Sequence, residues 1–165
     1  MRAPLSWLRD HAALPDDLDG RALAEALIRA GLEVETVHQI GAEVTGPLVI
    51  GKVLAYELEV HTNGKSIRWC QVDVGPHNDS SGSRSVVCGA HNFEVGDTVV
   101  VALPGTVLPG GFGISARKTY GHVSDGMICS AKELGLGDDH SGILVLDEAG
   151  LAPGADAAPV LHLRD

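Results

Sequence analysis

The stretch Ile67-Arg-Trp-Cys-Gln-Val-Asp-Val74 alternates apolar Cys70, Val72 and Val74 with Trp69, Gln71 and Asp73. Successive side chains of a strand point to opposite faces, so the first set makes an inward apolar face and the second a mixed outer one. The same texture extends in both directions. From Gly46 onward, short β-branched runs are separated by Gly, Pro, Asn and Asp, the pattern of a small barrel or sandwich. Leu48 to Val60, Ser85 to Gly89 and Thr98 to Leu103 read as further strands. Ile114 to Tyr120, Gly126 to Cys129 and Ile143 to Leu146 read as shorter extended pieces, with a helical turn at Ala131 to Leu134. Gly75 to Arg84 is polar and small, and is expected to be a loosely ordered hairpin loop. The glycine-rich run Pro104 to Gly113 reads as tight turns at a barrel corner.

The flanks differ. Asp19 is placed to cap a helix in which Leu23, Ala26, Leu27 and Ala30 recur at helical spacing before Gly31 closes it. A shorter helix is expected from Ser6 to about Ala12, ended by Pro15. Residues 1–40 plus 151–165 are therefore expected to form a small α/β domain around residues 41–150, with Val160 to Leu163 as a lone final strand.

Composition bounds the function. The 165 residues are 44% hydrophobic and 21% charged, ordinary for a globular chain. No apolar run is long enough for a membrane span or a secretory signal, which points to a cytoplasmic chain that meets no membrane. Cys70, Cys88 and Cys129 are odd in number and far apart, which suits buried thiols in a reducing compartment rather than a disulfide framework. Twelve Lys and Arg against 22 Asp and Glu leave a net charge of −10, the wrong sign for a general polyanion binder. Residues 41–150 share the bias, with seven basic and thirteen acidic side chains.

Several motifs suggest chemistry and fail on context. Asn63-Gly-Lys-Ser66 resembles the end of a phosphate-binding loop, but Glu59 stands where the first glycine belongs and no helix follows. Gly111-Phe-Gly113-Ile-Ser-Ala116 fits a relaxed dinucleotide fingerprint but follows a Pro-Gly-Gly turn instead of a strand. Cys88 and His91 with Cys129 and His140 lack the paired doublets of a zinc site, and Asp138-Asp-His140 reads as a solvated loop, so no metal site is assigned. No nucleophile, base and orienting group come together, so no catalytic residue is assigned. Trp69 remains open between two readings: a platform for stacked bases on the face that OB-folds use for oligonucleotides, or a core residue.

Taken in order, several segments resemble the start of bacterial phenylalanyl-tRNA synthetase beta subunits: Pro4-Leu-Ser-Trp-Leu8, Ala30-Gly-Leu-Glu-Val34, Val49-Ile-Gly-Lys-Val53, Cys70-Gln-Val-Asp-Val-Gly75, Val87-Cys-Gly-Ala90 and Leu108-Pro-Gly-Gly-Phe112. Ser124-Asp-Gly-Met-Ile-Cys-Ser130, followed by Lys132-Glu-Leu-Gly-Leu-Gly-Asp-Asp-His140, is the most specific stretch. The resemblance covers nearly the whole chain. It implies an α+β architecture, an OB-fold barrel inserted into a small α/β domain built from both chain ends, in a subunit that continues beyond Asp165.

It also implies an auxiliary role in binding and positioning tRNA(Phe) for an ATP- and Mg²⁺-dependent ligase, with no cofactor in this stretch. The implied partners are tRNA, the alpha subunit and the remaining beta-subunit domains of an α2β2 heterotetramer. By position in the resembled motif, or by charge near the same rim, the tRNA-contacting candidates are Lys52, His61, Asn63, Lys65, Trp69, Arg117, Lys118, Ser124, Met127, Ser130 and Lys132. Lys and Arg would meet phosphates, and Asn and Ser would fix register. Against the resembled pattern, one basic position is shifted to Lys65, another is Tyr120, and His91 replaces a proline. Ser130 reads equally as a helix-turn cap and Met127 as core. A structural docking module for heterotetramer assembly and a free-standing tRNA-binding protein are the alternative functions.

Overall fold

The computed structural model describes residues 3–39, 43–147 and 149–163. It separates the chain into two compact units, Met1–Ile40 and Gly41–Arg164. In the first, α1 (Leu5–His11) and α2 (Gly20–Arg29) form where the sequence places helices. The Asp19 carboxylate accepts the Ala22 amide at 2.7 Å, satisfying one of the free N–H groups at the start of α2. At its other end Gly31 takes a φ of 88°, which costs a glycine little. Of the expected apolar stripe, Leu23 and Leu27 are half-buried, while Ala26 and Ala30 are exposed.

The second unit is an OB-like, nearly closed antiparallel barrel. Its strands are β1 (Leu48–Val60), β2 (Ser66–Asp73), β3 (Arg84–Cys88), β4 (Thr98–Ala102), β5 (Val107–Leu108), β6 (Phe112–Gly113), β7 (Arg117–Thr119), β8 (His122–Ser124), β9 (Met127–Ile128) and β10 (Val145–Leu146). The main sheet runs β10-β4-β1-β2-β3, with β9 also on β4. β1 serves two partners: Leu48 to Lys52 pair with β4, and Lys52 to Val60 pair with β2 across an irregularity between Val53 and Ala55. Gly51 permits the crowding at this junction, since a Cβ there would lie 2.6 Å from Val101 and 2.7 Å from Val72. The barrel closes from β3 to the β8–β9 connection, where the Asp125 amide donates to the Ser85 carbonyl at 2.8 Å and the Val87 amide to the Ser124 hydroxyl at 3.0 Å.

Period-two alternation explains the interior. Val53, Cys70, Val72, Val74, Val86, Val99 and Val101 fill one core with Phe93. β4 is buried on both faces, because Val100 and Ala102 point away from that interior into a second cluster with Ile50, Leu134, Ala157, Ala158 and Leu163. Fully burying a leucine such as Leu163 contributes about 1.5–3 kcal/mol.

Three expectations are corrected. Residues 151–163 belong with the barrel unit and not with the first forty: the Gly154 amide donates to the Ile50 carbonyl at 2.7 Å and the Ile50 amide to the Ala155 carbonyl at 2.8 Å. The tail is also not a strand, because the Asp156 carboxylate caps a short helix, α3 (Ala157–Val160), which lies against β1 and whose Ala157 and Ala158 join the second core cluster. The loop from Gly75 is tied down instead of loose. Asn78 donates to Asp73 and accepts the Val74 amide, and the Arg84 Nε donates to the His77 carbonyl at 2.6 Å. The piece expected at Ile114 to Tyr120 is one arm of the β7–β8 hairpin, whose two-residue turn is Tyr120-Gly121.

Candidate functional site

The β1–β2 turn and the tip of the β7–β8 hairpin gather most of the chemistry on the barrel surface. The turn is fixed locally: the His61 amide donates to the Lys65 carbonyl at 2.8 Å, the Gly64 amide to the His61 carbonyl at 2.9 Å, and Asn63 Oδ1 accepts the Lys65 amide at 3.0 Å. Gly64 takes a φ of 78°, as this tight reversal requires. Lys65 is thereby held exposed at the rim.

Opposite it, the hairpin turn puts both central residues at positive φ, 51° for Tyr120 and 83° for Gly121. Such a turn favours Asn or Gly at its first position, and a left-handed conformation costs an ordinary L-residue about 1–2 kcal/mol. Tyr120 offsets part of that by packing on His61, with ring centroids 4.5 Å apart at 40°. Glu59 holds the pieces together: one carboxylate oxygen lies 2.6 Å from His122 Nε2 and the other 3.4 Å from His61 Nε2. His122 in turn stacks on Trp69 at 4.2 Å and 17°. The carboxylate, 30% exposed, hydrogen-bonds His122 and only approaches His61, whose Nε2 has no hydrogen-bond partner among the described residues.

Beside this cluster lies an open groove of about 550 Å³. Its lining includes buried Ile67, half-buried Val87 and the exposed Lys65, Gly89 and Tyr120. Polar groups line it as well: Thr119, and the Ser66 hydroxyl 3.0 Å from His91 Nε2.

The other candidates are dispersed. Trp69 is half-buried with one face covered by His122, and its indole N–H has no acceptor among the described residues. Arg117 and Lys118 are exposed on β7, with Arg117 over the Phe112 ring at 5.7 Å. Lys52 is exposed opposite Asp73 in the β1–β2 ladder. Lys132 is exposed in the turn after Ser130, its amide bound to the Asp139 carbonyl. Ser124, Met127 and Ser130 point their chemistry inward. The Ser124 hydroxyl accepts from Val87 and donates to the Gly126 carbonyl, and Met127 packs against the second core cluster. Ser130 and Glu133 exchange bonds at 2.7, 2.8 and 3.3 Å in a reciprocal cap.

Sequence reading missed Glu59, Thr119 and His122 as members of the cluster, and took Tyr120 only as a lost basic position. The one local signal was Glu59 and His61, two apart and so on one face. It also missed that Arg68 is structural: the guanidinium carbon lies 4.1 Å from the centre of the Tyr56 ring and 4.8 Å from that of Phe93, two rings that pack edge to face, and the group donates to the Phe93 carbonyl.

The buried thiols are not poised for chemistry. Burial pushes Cys70 and Cys129 up to about 12 and raises Cys88. Among the described residues no three His, Cys, Asp or Glu side chains gather as a metal site, and no helix is long and apolar enough to cross a membrane.

Residues 48–156, from the first residue of β1 to the cap of α3, match the family described as "Putative tRNA binding domain". Over its full length the chain is 56% identical to the phenylalanine-tRNA ligase beta subunit of Thermobifida fusca (strain YX) and 53% identical to that of Streptomyces avermitilis. It is 58% identical over 168 aligned residues to that of Mycolicibacterium paratuberculosis. The chain spans about a fifth of the length of each of these relatives, 20% in all three.

Proposed function

Because the chain belongs to the tRNA-binding domain family and aligns from end to end with part of phenylalanine-tRNA ligase beta subunits, we propose that it is an auxiliary tRNA-contacting part of such a subunit. It positions tRNA(Phe) for a cytoplasmic ligase whose ATP- and Mg²⁺-dependent step takes place elsewhere in the assembly. The partners are tRNA, an alpha subunit and the rest of the beta subunit in an α2β2 heterotetramer. No step through ATP or Mg²⁺ is assigned to these residues.

The observation that carries this reading is the coincidence of the family match with the barrel, its two boundaries falling at β1 and at the cap of α3. Charge sets its strength. With a net charge of −10, nonspecific attraction to phosphates is weak, and affinity has to come from a few placed groups such as Lys65, Arg117 and Lys118. Each phosphate contact to a single strand contributes about 0.7 to the slope of log K against log salt, and about 0.9 on a duplex.

A low-salt filter-binding titration against tRNA(Phe) tests the proposal. Saturable binding is expected, with Lys65→Glu lowering both affinity and the salt slope by about one contact. No binding up to roughly 100 µM, the weak end of nonspecific affinities, refutes it. The acidic balance and the exposed Leu58 and Val60 favour a second reading, docking within the heterotetramer. Deleting residues 41–163 from the full-length subunit separates the two: assembly left intact with tRNA binding weakened excludes docking.

A further inference from the structure

We infer that the free end of β1, from Tyr56 to Val60, is a docking edge on which an extended protein segment alternating basic and apolar residues adds one antiparallel strand. This deepens the docking reading and rests on it for where the partner resides; tRNA binding does not enter.

The edge follows from the unequal pairing of β1. Leu48 to Lys52 have β4 on one side. The outward groups of Val53 are then taken by the loop before β4, its carbonyl by the Gly96 amide at 2.8 Å and its amide by the Asp97 carbonyl at 3.0 Å. Beyond that point β1 pairs with β2 alone. The turn closes with the His61 amide on the Lys65 carbonyl, and hydrogen-bonded pairs alternate with non-bonded ones along an antiparallel ladder. Counted back in register, Glu59 opposite Ile67 and Glu57 opposite Trp69 turn their backbone groups toward β2. The N–H and C=O groups of Tyr56, Leu58 and Val60 therefore point to the open side, where they have no hydrogen-bond partner among the described residues.

The side chains define what fits. Leu58 is 60% exposed and Val60 73%, on the same face of the strand as Tyr56, while Glu57 and Glu59 lie on the other. Glu59 is engaged by His122, but Glu57 is exposed with no ionic or hydrogen-bonding partner among the described residues. An open strand edge with apolar side chains is a template for pairing. Strand addition draws affinity from main-chain hydrogen bonds and selectivity from alternate side chains. Here the alternation calls for an apolar residue opposite Leu58 and Lys or Arg opposite Glu57, a non-hydrogen-bonded position where side chains come closest. A second copy of this chain does not suit the edge. Pairing two β1 strands about Leu58 sets Glu57 of each copy against Glu59 of the other, between chains that each carry a net charge of −10.

NMR amide shifts and hydrogen exchange of the isotope-labelled chain test this. In the free chain the Tyr56, Leu58 and Val60 amides are expected to exchange faster than those of Glu57 and Glu59. A short synthetic peptide alternating lysine and valine should bind saturably and slow exchange at Tyr56, Leu58 and Val60. N-methylation of its valine amides, which face β1 in an antiparallel pair, weakens binding at least roughly tenfold, whereas N-methylation of its lysine amides stays within about twofold. A peptide with the same lysines and valines in two blocks, equal in charge, binds several-fold more weakly. Glu57→Lys lowers the preference for the lysine–valine peptide over a glutamate–valine one several-fold, with circular dichroism checking the fold.

Absence of peptide binding overturns the edge, as does slow exchange of the Tyr56, Leu58 and Val60 amides in the free chain. Equal effects of the two N-methylations, or a block peptide as tight as the alternating one, reduce the contact to charge attraction and also overturn it. If the edge fails but deleting residues 41–163 from the full-length subunit disrupts assembly, docking stands on another surface. If the peptides behave as expected and that deletion leaves assembly intact, the edge stands and docking within the heterotetramer falls.

Discussion

Replacing Arg68 by methionine keeps an apolar stem and removes the guanidinium beyond it, and the barrel is expected to lose about 2–3 kcal/mol. Arg68 is 9% exposed on β2. Its hydrogen bond to the Phe93 carbonyl is charge-assisted and contributes about 1.5–3 kcal/mol. The cation–π contacts with Tyr56 and Phe93 contribute about 1 kcal/mol each in a desolvated setting. The ion pair with Glu94, 3.7 Å away on a carboxylate that is 72% exposed, is discounted to nearly nothing. Against these stands the buried Nε, which has no partner among the described residues and costs about 1–2 kcal/mol. For a unit of this size the net loss lowers Tm by roughly 8–12 °C. Urea unfolding followed by Trp69 fluorescence in a Trp7→Phe background reports on the barrel alone, since the two tryptophans lie in different units. Arg68→Lys should recover less than half of the loss, because a compact, strongly hydrated ammonium lacks the planar guanidinium that packs on the rings and reaches the Phe93 carbonyl. An Arg68→Met barrel that unfolds within about 0.5 kcal/mol of the parent refutes the reasoning.

Acid stability depends in part on Asp73. The Asn78 side chain, at 2.8 Å, and then the Gly75 amide, at 2.9 Å, hold its carboxyl below the usual range. A depressed carboxylate stabilises above its unfolded value of about 3.9, and that contribution is lost as pH falls through the lower folded value. Asp73→Asn should therefore be less stable than the parent at neutral pH, with the gap closing below pH of about 4 in chemical-denaturation series; a gap independent of pH contradicts the assignment. With thiols pushed up to about 12, Cys70 and Cys129 carry about one thiolate in ten thousand at pH 8. Native protein should resist iodoacetamide at both and label fully in denaturant, which peptide mapping distinguishes; rapid native labelling contradicts their burial.

Strand positions were legible because they depend on a local period. The alternation of Cys70, Val72 and Val74 and the apolar run Thr98-Val-Val-Val-Ala102 state which residues are inward or doubly buried without reference to distant chain. The Asp19 cap and the Gly31 stop are likewise read within a few residues of where they act. The tail was misread for the opposite reason. Val160 to Leu163 is apolar whether it forms a strand or a turn, and the barrel face offered by Val100 and Ala102 decided that it packs behind a short capped helix.

The candidate site divides in the same way. Lys65 and Asn63 were found from a turn whose hydrogen bonds lie within five residues. The Glu59–His122 contact spans 63 positions, and Phe93, whose carbonyl binds Arg68, lies 25 positions away. What the chain determined by itself was therefore the order of its strands and turns, the inward set of side chains and the acidic balance that leaves few groups for RNA. Tertiary structure alone decided that Tyr120 faces His61, that Trp69 is covered and Arg68 buried, and that a groove opens beside Lys65. Those outcomes depend on which strands close against which, and closure is set by packing between residues that carry no local signal of one another.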